Sequence, residues 1–382
     1  MSKALIQDSN VKALVKKCAI ELGFDVVGIT TSDSLLGPAK VTIERLRNGL
    51  MAGLPWYTEA RVIRGSIPRH LLEGARSIIA LGMSYLTEGS AEVPRGNIGG
   101  KVARYAWGKD YHKVIKQRMK ELVILLEERL EHTVKARFYV DDGPMLDRSV
   151  AERAGIGWFG KNTNILTASH GSWLFLGQII TDLILEPDKH SKKSCGECTR
   201  CIPACPTGAI VAPYVLDNSK CISYLTIENK GPIPLEMRKQ MLDWVFGCDI
   251  CQEVCPVNRK ANYSKDSIFK RGGFKTIDLI ELLCMTEEEF TDRFKGSALR
   301  RAKRIGLQRN ACVALGNIKD VKSVPALIKT LLHSDSLVRG HAAWALGQMG
   351  DKVSKDALEL AISKEDDNWV REEIELALSG TT

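Results

Sequence analysis

Eight of the eleven cysteines lie in one short stretch, and their spacing predicts iron–sulfur chemistry. They include two ordered runs that each begin with C-x2-C spacing and end in Cys-Pro. The runs comprise Cys195, Cys198, Cys201 and Cys205, and then Cys248, Cys251 and Cys255. Such a run places its first thiolates on one cubane cluster, while the cysteine before the proline ligates a second cluster. The sequence therefore predicts two [4Fe–4S] clusters with crossed ligation.

Cys221 can supply the ligand that the second run lacks, since a cubane needs four thiolates. The predicted ligands of cluster one are Cys195, Cys198, Cys201 and Cys255, and those of cluster two are Cys205, Cys221, Cys248 and Cys251. A zinc site is the alternative, because zinc also takes four ligands from paired cysteines. The third cysteine at the same spacing and the proline after both runs favour iron–sulfur clusters.

Two adjacent carboxylates, Asp141 and Asp142, follow a predicted strand at Ala136–Val140. Strand ends in open α/β sheets line the ligand crevice, which would place one carboxylate for acid–base chemistry. Successive strand residues point to opposite faces, so only one of the pair can enter the site. Turn formation is an ordinary role for an Asp-Gly pair such as Asp142-Gly143. Asp141 is therefore the candidate for the site and Asp142 for the turn.

A glycine-rich loop with Gly155, Gly157 and Gly160 matches the dinucleotide fingerprint G-x-G-x-x-G. That fingerprint requires a strand before it and a helix after it. Here a helix is predicted at Asp147–Ala154, and Lys161–Leu166 leads toward a strand. The loop is therefore expected to close over another large planar or phosphate-bearing cofactor rather than NAD.

Helical and strand patterns alternate up to Leu185, which predicts an α/β layer fold for residues 1–188. The helices are expected at Val11–Leu22 and Tyr111–Glu131, and the strands at Val26–Thr30, Ser77–Tyr85, Ala136–Val140 and Trp173–Leu185. Residues 189–260 hold the cysteine runs and are predicted to form a ferredoxin-like domain with two clusters. Its small core would depend on the clusters for stability.

The sequence pattern of residues 261–382 predicts helices and contains a repeat. The tripeptide Ala314-Leu315-Gly316 recurs as Ala345-Leu346-Gly347, and a weaker third copy ends at Ala377-Leu378. A two-helix unit of this length is typical of HEAT-like repeats, which present extended faces to large partners. A plain helical bundle with chance similarity is the alternative.

The beginning of this helical region is strongly basic. Arg293–Lys319 contains eight lysines and arginines and no acidic residue, in a chain whose formal net charge is +8. A charge run is ordinarily a solvated helix face, but clustered cations beside a redox module favour phosphate binding. The candidate nucleic-acid contacts are Arg300, Arg301, Lys303, Arg304 and Arg309.

No apolar run approaches the length of a membrane span, because polar residues interrupt even Trp173–Leu185. The sequence thus predicts a soluble cytoplasmic protein without a membrane partner. No coiled-coil pattern occurs, so a monomer is expected.

Taken in order, these motifs resemble those of the epoxyqueuosine reductases, cobalamin-dependent enzymes that finish queuosine synthesis in tRNA. The resemblance covers nearly the whole chain. Its motifs are Tyr139-Val140-Asp141-x-x-Pro144, Gly155-x-Gly157-Trp158-x-Gly160-Lys161, the two cysteine runs, Cys221, Trp107-Gly108-x-Asp110-Tyr111-His112, and Arg64-x5-His70-Leu71-Leu72-x-Gly74.

The resemblance implies a mechanism. Cobalamin would be held between the α/β domain and the ferredoxin-like domain, and electrons from an external low-potential donor would reach it through the clusters. Asp141 stands at the family's catalytic aspartate and would be the general acid, a role suited to a buried carboxyl with a raised pKa. The implied cofactor contacts are Arg64, Arg104, Asp141, Lys161, Asn162 and Ile165.

The basic repeats would then bind tRNA that carries epoxyqueuosine in its anticodon, because splayed loop bases are the usual target of specific RNA readers. Two alternatives remain. One is a small-molecule corrinoid reductase resembling reductive dehalogenases. The other is an electron-transfer subunit whose repeats bind a protein.

Overall fold

The computed structural model describes residues 3–88, 96–269 and 275–380. The helices are α1 (Lys3–Glu21), α2 (Leu36–Arg47), α3 (Glu59–Ser66), α4 (Tyr111–Leu130), α5 (Asp147–Arg153), α6 (Cys201–Ala204), α7 (Ile222–Ile227), α8 (Leu235–Arg238), α9 (Ile250–Glu253), α10 (Leu279–Cys284), α11 (Glu287–Arg293), α12 (Lys303–Ile318), α13 (Val324–Thr330), α14 (Ser336–Met349), α15 (Lys352–Ile362) and α16 (Asn368–Ser379).

The strands are β1 (Val26–Thr31), β2 (Ser77–Ser84), β3 (Gly99–Val102), β4 (Ala136–Tyr139), β5 (Trp158–Phe159), β6 (Ile165–Leu166), β7 (Leu174–Thr181), β8 (Ile210–Ala212), β9 (Val215–Leu216), β10 (Trp244–Phe246) and β11 (Thr276–Asp278). Short 3₁₀ helices lie at Pro68–His70, Arg104–Ala106, Asn218–Lys220, Lys239–Met241, Pro256–Lys260, Ser267–Phe269, Ala298–Ala302 and Val321–Ser323.

The first sheet has the order β1-β2-β7-β4, and every neighbouring pair is antiparallel. All of β2 is buried, because helices cover both faces of the sheet. α1 and α4 pack on the face that contains Ile79 and Leu81, while α2, α3 and α5 pack on the face that contains Ile78 and Ala80. The layered α/β architecture is confirmed. The strand-end argument for Asp141 is wrong, however, because it applies to parallel sheets.

Predicted and observed elements differ mainly at their ends. The strand expected at Trp173–Leu185 is β7, which ends at Thr181; the next residue, Asp182, accepts a hydrogen bond from the N–H of Lys135 at 3.0 Å. α4 ends one residue before Glu131, which takes a left-handed conformation with φ of 58°. α5 precedes the glycine loop and the β5–β6 hairpin follows it, so the dinucleotide fingerprint lacks its required flanks.

A second sheet joins three distant parts of the chain. β3 pairs in parallel with β10 and antiparallel with β11. The core beneath this sheet continues without a break into the C-terminal helices. Because this core crosses residues 188 and 260, the predicted domain boundaries separate motifs in the sequence but do not separate independent cores.

The C-terminal helices form the predicted repeat. α12, α14 and α16 pack side by side, with α13 and α15 between them along the chain. The recurring glycine permits this close approach: a Cβ on Gly316 would lie 2.6 Å from the Trp344 ring, and one on Gly347 would lie 2.7 Å from Ala377. The repeated tripeptide is therefore a helix-packing signal.

None of the helices in the described part of the chain combines the length and the apolar character that a membrane crossing requires.

Candidate active site

The eight cysteines of the predicted clusters fall into two spatial sets. The Cys201 thiol lies within electrostatic reach of Cys195, Cys198 and Cys255. The Cys251 thiol lies within reach of Cys205, Cys221 and Cys248. These are the two crossed sets that the spacing predicts. Four thiolates in each set fit a cubane as donors.

Zinc and a cubane cluster require different arrangements of their four ligands. A zinc ion would require four side chains that converge on one point, at about 2.0–2.3 Å from the metal. Over residues 3–88, 96–269 and 275–380, no three His, Cys, Asp or Glu side chains converge in that way. A cubane instead holds its four thiolates apart around a cluster of several atoms. The third cysteine at the same spacing and the proline after both runs are the features that favour two clusters over zinc.

The buried side chains of α12 hold the segment that leads from Cys221 to Cys248. Arg309 donates to the carbonyls of Leu225 and Gly231 at 2.7 and 2.8 Å. Asn310 donates to the carbonyls of Thr226 and Val245 at 2.9 and 2.8 Å. The helix α12 therefore fixes the backbone before β10 and within it, directly ahead of Cys248 and Cys251.

Asp141 lies in a turn at the end of β4 and has an unusual backbone conformation. Its φ is 45°, a region that Asp tolerates better than most residues. The Tyr111 hydroxyl donates a hydrogen bond to one carboxylate oxygen of Asp141. Nε2 of His112 contacts the other oxygen at 2.6 Å. The side chain of Asp141 is 51 % exposed, so the expectation of a buried carboxyl is wrong for this state of the protein.

His112 bridges two carboxylates. Its Nδ1 lies 2.7 Å from Asp110, the residue that caps the N-terminus of α4, while its Nε2 faces Asp141. Burial lowers the pKa of His112, but the hydrogen bonds to Asp110 and Asp141 outweigh that effect and raise the pKa to about 9. His112 is thus an imidazolium at neutral pH, and both ring nitrogens donate protons.

Asp142 has a different set of partners. Its carboxylate contacts the Lys116 ammonium and accepts a hydrogen bond from the N–H of Val140 at 3.1 Å. Burial opposes ionisation, but the bond from Lys116 holds the pKa of Asp142 below its usual value. The Asp142 side chain therefore closes the turn, through a bond to the backbone two residues earlier and an ion pair with Lys116. The arrangement agrees with the assignment of Asp142 to the turn.

A second carboxyl lies close enough to Asp141 to influence it. Asp147, at the start of α5, is half-buried, and desolvation of its carboxyl together with the nearby charge of Asp141 raises its pKa to about 7. Its neighbour Arg148 donates to the Thr163 carbonyl at 2.8 Å. α5 therefore connects the Asp141 turn to the loop that follows the glycines.

The predicted cofactor contact Arg104 lies beside the second cysteine run. Its N–H donates to Asp249 at 2.7 Å, and its guanidinium lies 4.8 Å from the Trp107 ring and 5.4 Å from the Trp173 ring. Its Nε is buried and has no hydrogen-bond partner among the described residues. A buried donor without a partner fits a cofactor that is fringed with amides, as cobalamin is.

Lys161 and Asn162 each reach one cysteine run. Lys161 Nζ donates to the Gly196 carbonyl at 2.7 Å, and Asn162 donates to the Cys251 carbonyl at 3.2 Å. Ile165 is only 5 % exposed within the β5–β6 hairpin, and its assignment as a cofactor contact stays a prediction.

Arg64 lies on α3 and is exposed. The next residue, Gly65, brings α3 against the turn that contains Asp141: a Cβ there would lie 1.7 Å from the Pro144 carbonyl oxygen. Arg61 on the same helix donates to the Gly143 carbonyl. Arg64 is therefore on a helix that packs against the turn that holds Asp141.

The basic run separates into exposed and buried members. Arg300, Arg301 and Lys303 are exposed. Arg301 pairs with Glu228 at 2.8 Å and lies 5.6 Å from the ring of Trp56, which is itself 41 % exposed. Arg301 is also within electrostatic reach of Asp141. Of the three exposed cations, Arg301 therefore has its charge within reach of the Asp141 turn, and Arg300 and Lys303 are its neighbours in the sequence.

Two predicted nucleic-acid contacts need correction. Arg309 is fully buried and donates to backbone carbonyls, so it cannot contact tRNA. Arg304 is 19 % exposed and pairs with Glu287 at 2.9 Å. The run contains no acidic residue, but acids elsewhere in the chain neutralise part of its charge. Sequence spacing could not show these partners.

Sequence reasoning did not assign roles to Tyr111, His112 or Trp56. The first two appeared only inside the Trp107–His112 motif of the resemblance. A local signal was present, because Asp110 precedes a long helix as an N-cap and thus fixes the direction of the next side chains. No comparable signal marked Trp56, whose partner Arg301 is far away in the sequence.

Comparisons with known proteins agree with these observations. Family models match residues 194–258 (4Fe-4S double cluster binding domain), 66–142 (Epoxyqueuosine reductase QueG, DUF1730) and 296–379 (HEAT repeats). The epoxyqueuosine reductase of Escherichia coli strain K12 is 36 % identical over 357 residues, 92 % of each chain. That of Pseudomonas aeruginosa is 41 % identical over 345 residues, 88 % of this chain and 94 % of the relative.

Two solved structures are similar over nearly the whole length. An epoxyqueuosine reductase in complex with an epoxyqueuosine-modified tRNA-Tyr stem loop has a TM-score of 0.90 and 33 % identity, and the match covers 97 % of this chain and 98 % of that one. The Bacillus subtilis enzyme, with its catalytic aspartate loop swung out of the active site, has a TM-score of 0.88 and 34 % identity, with 97 % and 99 % covered.

These relatives favour the tRNA enzyme over the small-molecule corrinoid reductase. The protein is an oxidoreductase whose cofactors are two [4Fe–4S] clusters and cobalamin. The crossed cysteine sets, the Asp141 turn and the C-terminal repeats lie on one chain that belongs to the epoxyqueuosine reductase family.

Proposed function

We propose that the protein reduces epoxyqueuosine to queuosine at the wobble position of tRNA. Two electrons and two protons remove the epoxide oxygen as water and leave a carbon–carbon double bond. Cobalamin, when bound, supplies the low-potential reductant for this step. The observation that carries the proposal is the hydrogen-bonded set of Asp110, His112 and Asp141, on a chain that also brings eight cysteines together in two sets of four.

Asp141 is the proposed general acid, and His112 is its source of protons. A leaving oxygen needs a proton as its bond to carbon breaks, and a positioned carboxyl can provide it. Because the pKa of His112 is raised to about 9, this residue carries a proton at neutral pH and can return one to Asp141. Burial raises the pKa of Tyr111, so its hydroxyl stays protonated and orients the Asp141 carboxyl.

The proposed cofactor contacts surround this set. Arg104, Lys161 and Asn162 each touch a predicted cluster-binding segment, and they would hold the amides and the phosphate of cobalamin. Arg64 would approach from α3. The cysteine ligands are proposed as the two crossed sets, so that electrons from an external low-potential donor reach the site through this chain.

The exposed cations Arg300, Arg301 and Lys303 are the proposed tRNA contacts. Phosphate binding requires accessible cations, and these three are accessible. Arg301 is within electrostatic reach of Asp141, and the other two are close to Arg301 in the sequence. Trp56 offers an exposed ring on which a loop base could stack. We expect the protein to act as a monomer in the cytoplasm, where its tRNA is found.

Anaerobic incubation of the protein with cobalamin, a strong chemical reductant and epoxyqueuosine tRNA tests the proposal. Mass analysis of the tRNA nucleosides should show the loss of one oxygen atom. A parallel reaction without cobalamin is the control and should show no change. Unchanged epoxyqueuosine from protein that holds both clusters and binds the tRNA would contradict the proposed function.

A further inference from the structure

All eight cysteines are partly exposed, but the residues around the two cysteine runs differ in their access to solvent. Around the first run, Ser194, Gly196 and Thr199 are exposed. Around the second run, Phe246 and Asp249 are 0 % and 2 % exposed. Asp249 also accepts a hydrogen bond from Arg104. Cluster one would therefore lie near the surface, while the backbone beside the second run packs against Arg104.

The surface around cluster one is basic. Residues 189–200 contain four lysines and arginines and a single acid, Glu197. We call Lys189, Lys192, Lys193 and Arg200 the cluster-one rim; all four are exposed. Lys193 lies 5.8 Å from the Trp158 ring. Within the described ranges, none of the four rim cations forms an ion pair. Their charge is therefore available to a partner.

An aromatic side chain lies at the same surface. Tyr214 is 37 % exposed and is within electrostatic reach of the Cys195 thiol. Its backbone is held at φ of 67° by two bonds: its N–H donates to the Lys161 carbonyl at 3.0 Å, and its carbonyl accepts from Arg45 at 2.6 Å. A fixed, exposed tyrosine within a charged rim is typical of the centre of a protein interface.

We infer that the cluster-one rim is the docking surface for an acidic, low-potential electron-carrier protein. The inference rests on the proposed function only because that reaction needs an external source of electrons. In each encounter the carrier is oxidised by one electron and this chain is reduced by one electron. Opposite charges steer such encounters and suit the small, transient interfaces of electron transfer.

Nucleic acid would be the other partner for a basic surface. The carrier is favoured here because electron transfer weakens steeply with distance, and this rim surrounds the thiols of the exposed cluster. The exposed cations Arg300, Arg301 and Lys303 are already proposed as a separate surface for tRNA. The rim also includes Tyr214 next to Cys195, a position at which a carrier would approach cluster one closely.

Charge reversal tests the inference. The variant Lys189→Glu/Lys192→Glu is compared with Lys352→Glu/Lys355→Glu on α15, two exposed lysines whose reversal changes the net charge equally. Reduced bacterial flavodoxin, an acidic carrier, is mixed with each holoprotein in an anaerobic stopped-flow instrument, and bleaching of the cluster absorbance is followed. The rim variant should react about tenfold or more slowly at low salt, and the difference should shrink at high salt.

Further measurements fix the interpretation. Reduction by the small methyl viologen radical should proceed at the same rate in both variants, and Lys189→Gln/Lys192→Gln should show a smaller effect in the same direction. Equal flavodoxin rates in the rim and α15 variants would overturn the inference. So would weaker stem-loop binding with unchanged flavodoxin reduction, since the rim would then be a nucleic-acid surface.

The proposed function is tested separately. With dithionite as the reductant, the rim variant should convert epoxyqueuosine tRNA normally. The wild-type protein could fail to convert the tRNA with dithionite while flavodoxin still reduces its clusters at a rate that depends on the rim. In that case the proposed function fails and the docking surface stands.

Discussion

The acidic turn at Asp141 and the basic run that leads into α12 show the same division of roles. In each region, residues of one type lie close together in the sequence but have different partners. Asp141 contacts a titratable histidine, whereas Asp142 closes a turn with Lys116. Arg300 is exposed, whereas Arg309 is buried among carbonyls. Partners and burial, rather than residue type, separate chemical from structural roles.

The two regions differ in what opposes their charge. Around Asp141 the partner is His112, whose proton can move. Around Arg309 the partners are backbone carbonyls, which cannot change their charge, and burial lowers the arginine pKa to about 10. The first arrangement suits proton transfer, and the second suits a fixed contact between α12 and the segment before cluster two.

Removal of Arg309 should therefore have the largest effect on stability. Arg309→Met would leave the carbonyls of Leu225, Asn229 and Gly231 buried without a donor, at a cost of about 3 kcal/mol or more. The urea midpoint of the anaerobic holoprotein should fall accordingly. Arg300→Met, at an exposed position, should change stability by no more than about 0.5 kcal/mol. Equal urea midpoints for Arg309→Met and Arg300→Met would show that the buried contact contributes little to stability.

Removal of the exposed cations should instead weaken tRNA binding. Arg300→Ala/Lys303→Ala should raise the Kd for the stem loop about tenfold and reduce the slope of log K against log salt by about 1.4–1.8, as expected for two phosphate contacts. Arg304→Ala is the control, because Arg304 is already paired with Glu287. If Arg304→Ala lost as much affinity for the stem loop as Arg300→Ala/Lys303→Ala, the tRNA would bind on a different face. Fluorescence anisotropy at several salt concentrations measures both quantities.

The acidic turn should show a pH dependence that the basic run lacks. His112 is protonated below a pKa of about 9, above the ordinary value of 6.5, so its proton is available at neutral pH and is lost as the pH rises through 9. The raised pKa of His112 also contributes to the stability of the fold. This contribution is complete below pH 6.5 and disappears as the pH rises to 9. Single-turnover rates should fall above pH 9, about tenfold per pH unit.

Substitution sharpens this test. His112→Gln should lower the rate at neutral pH and remove the alkaline decline, whereas Asp142→Asn should retain the decline. A decline that persists in His112→Gln would assign the ionisation to another group.

Local patterns predicted much of the molecule. The cysteine spacing predicted both cysteine sets, since ligands of a cluster must be regularly placed, and the recurring Ala-Leu-Gly predicted the repeat because helix packing needs a small residue there. The sequence could not predict that Glu228 and Glu287 would neutralise Arg301 and Arg304. Such pairs depend on how distant elements meet.

The Asp141 site was predicted on a physical argument that the structure does not support. The sheet is antiparallel, so strand direction does not explain the position of Asp141. Its position instead follows from a positive φ and from two donors at the start of α4. A single sequence contains no signal for the contact between α4 and the turn after β4.

Comparison of Asp141→Asn with Asp142→Asn tests the central claim most directly. Both changes keep side-chain size and remove one acidic group from the same turn. In single-turnover conversion of epoxyqueuosine tRNA, followed by nucleoside mass analysis, Asp141→Asn should be slower by about 10²–10⁴-fold while cobalamin and tRNA still bind, and Asp142→Asn should be nearly normal. A normal rate for Asp141→Asn would contradict the assignment of Asp141 as the proton donor.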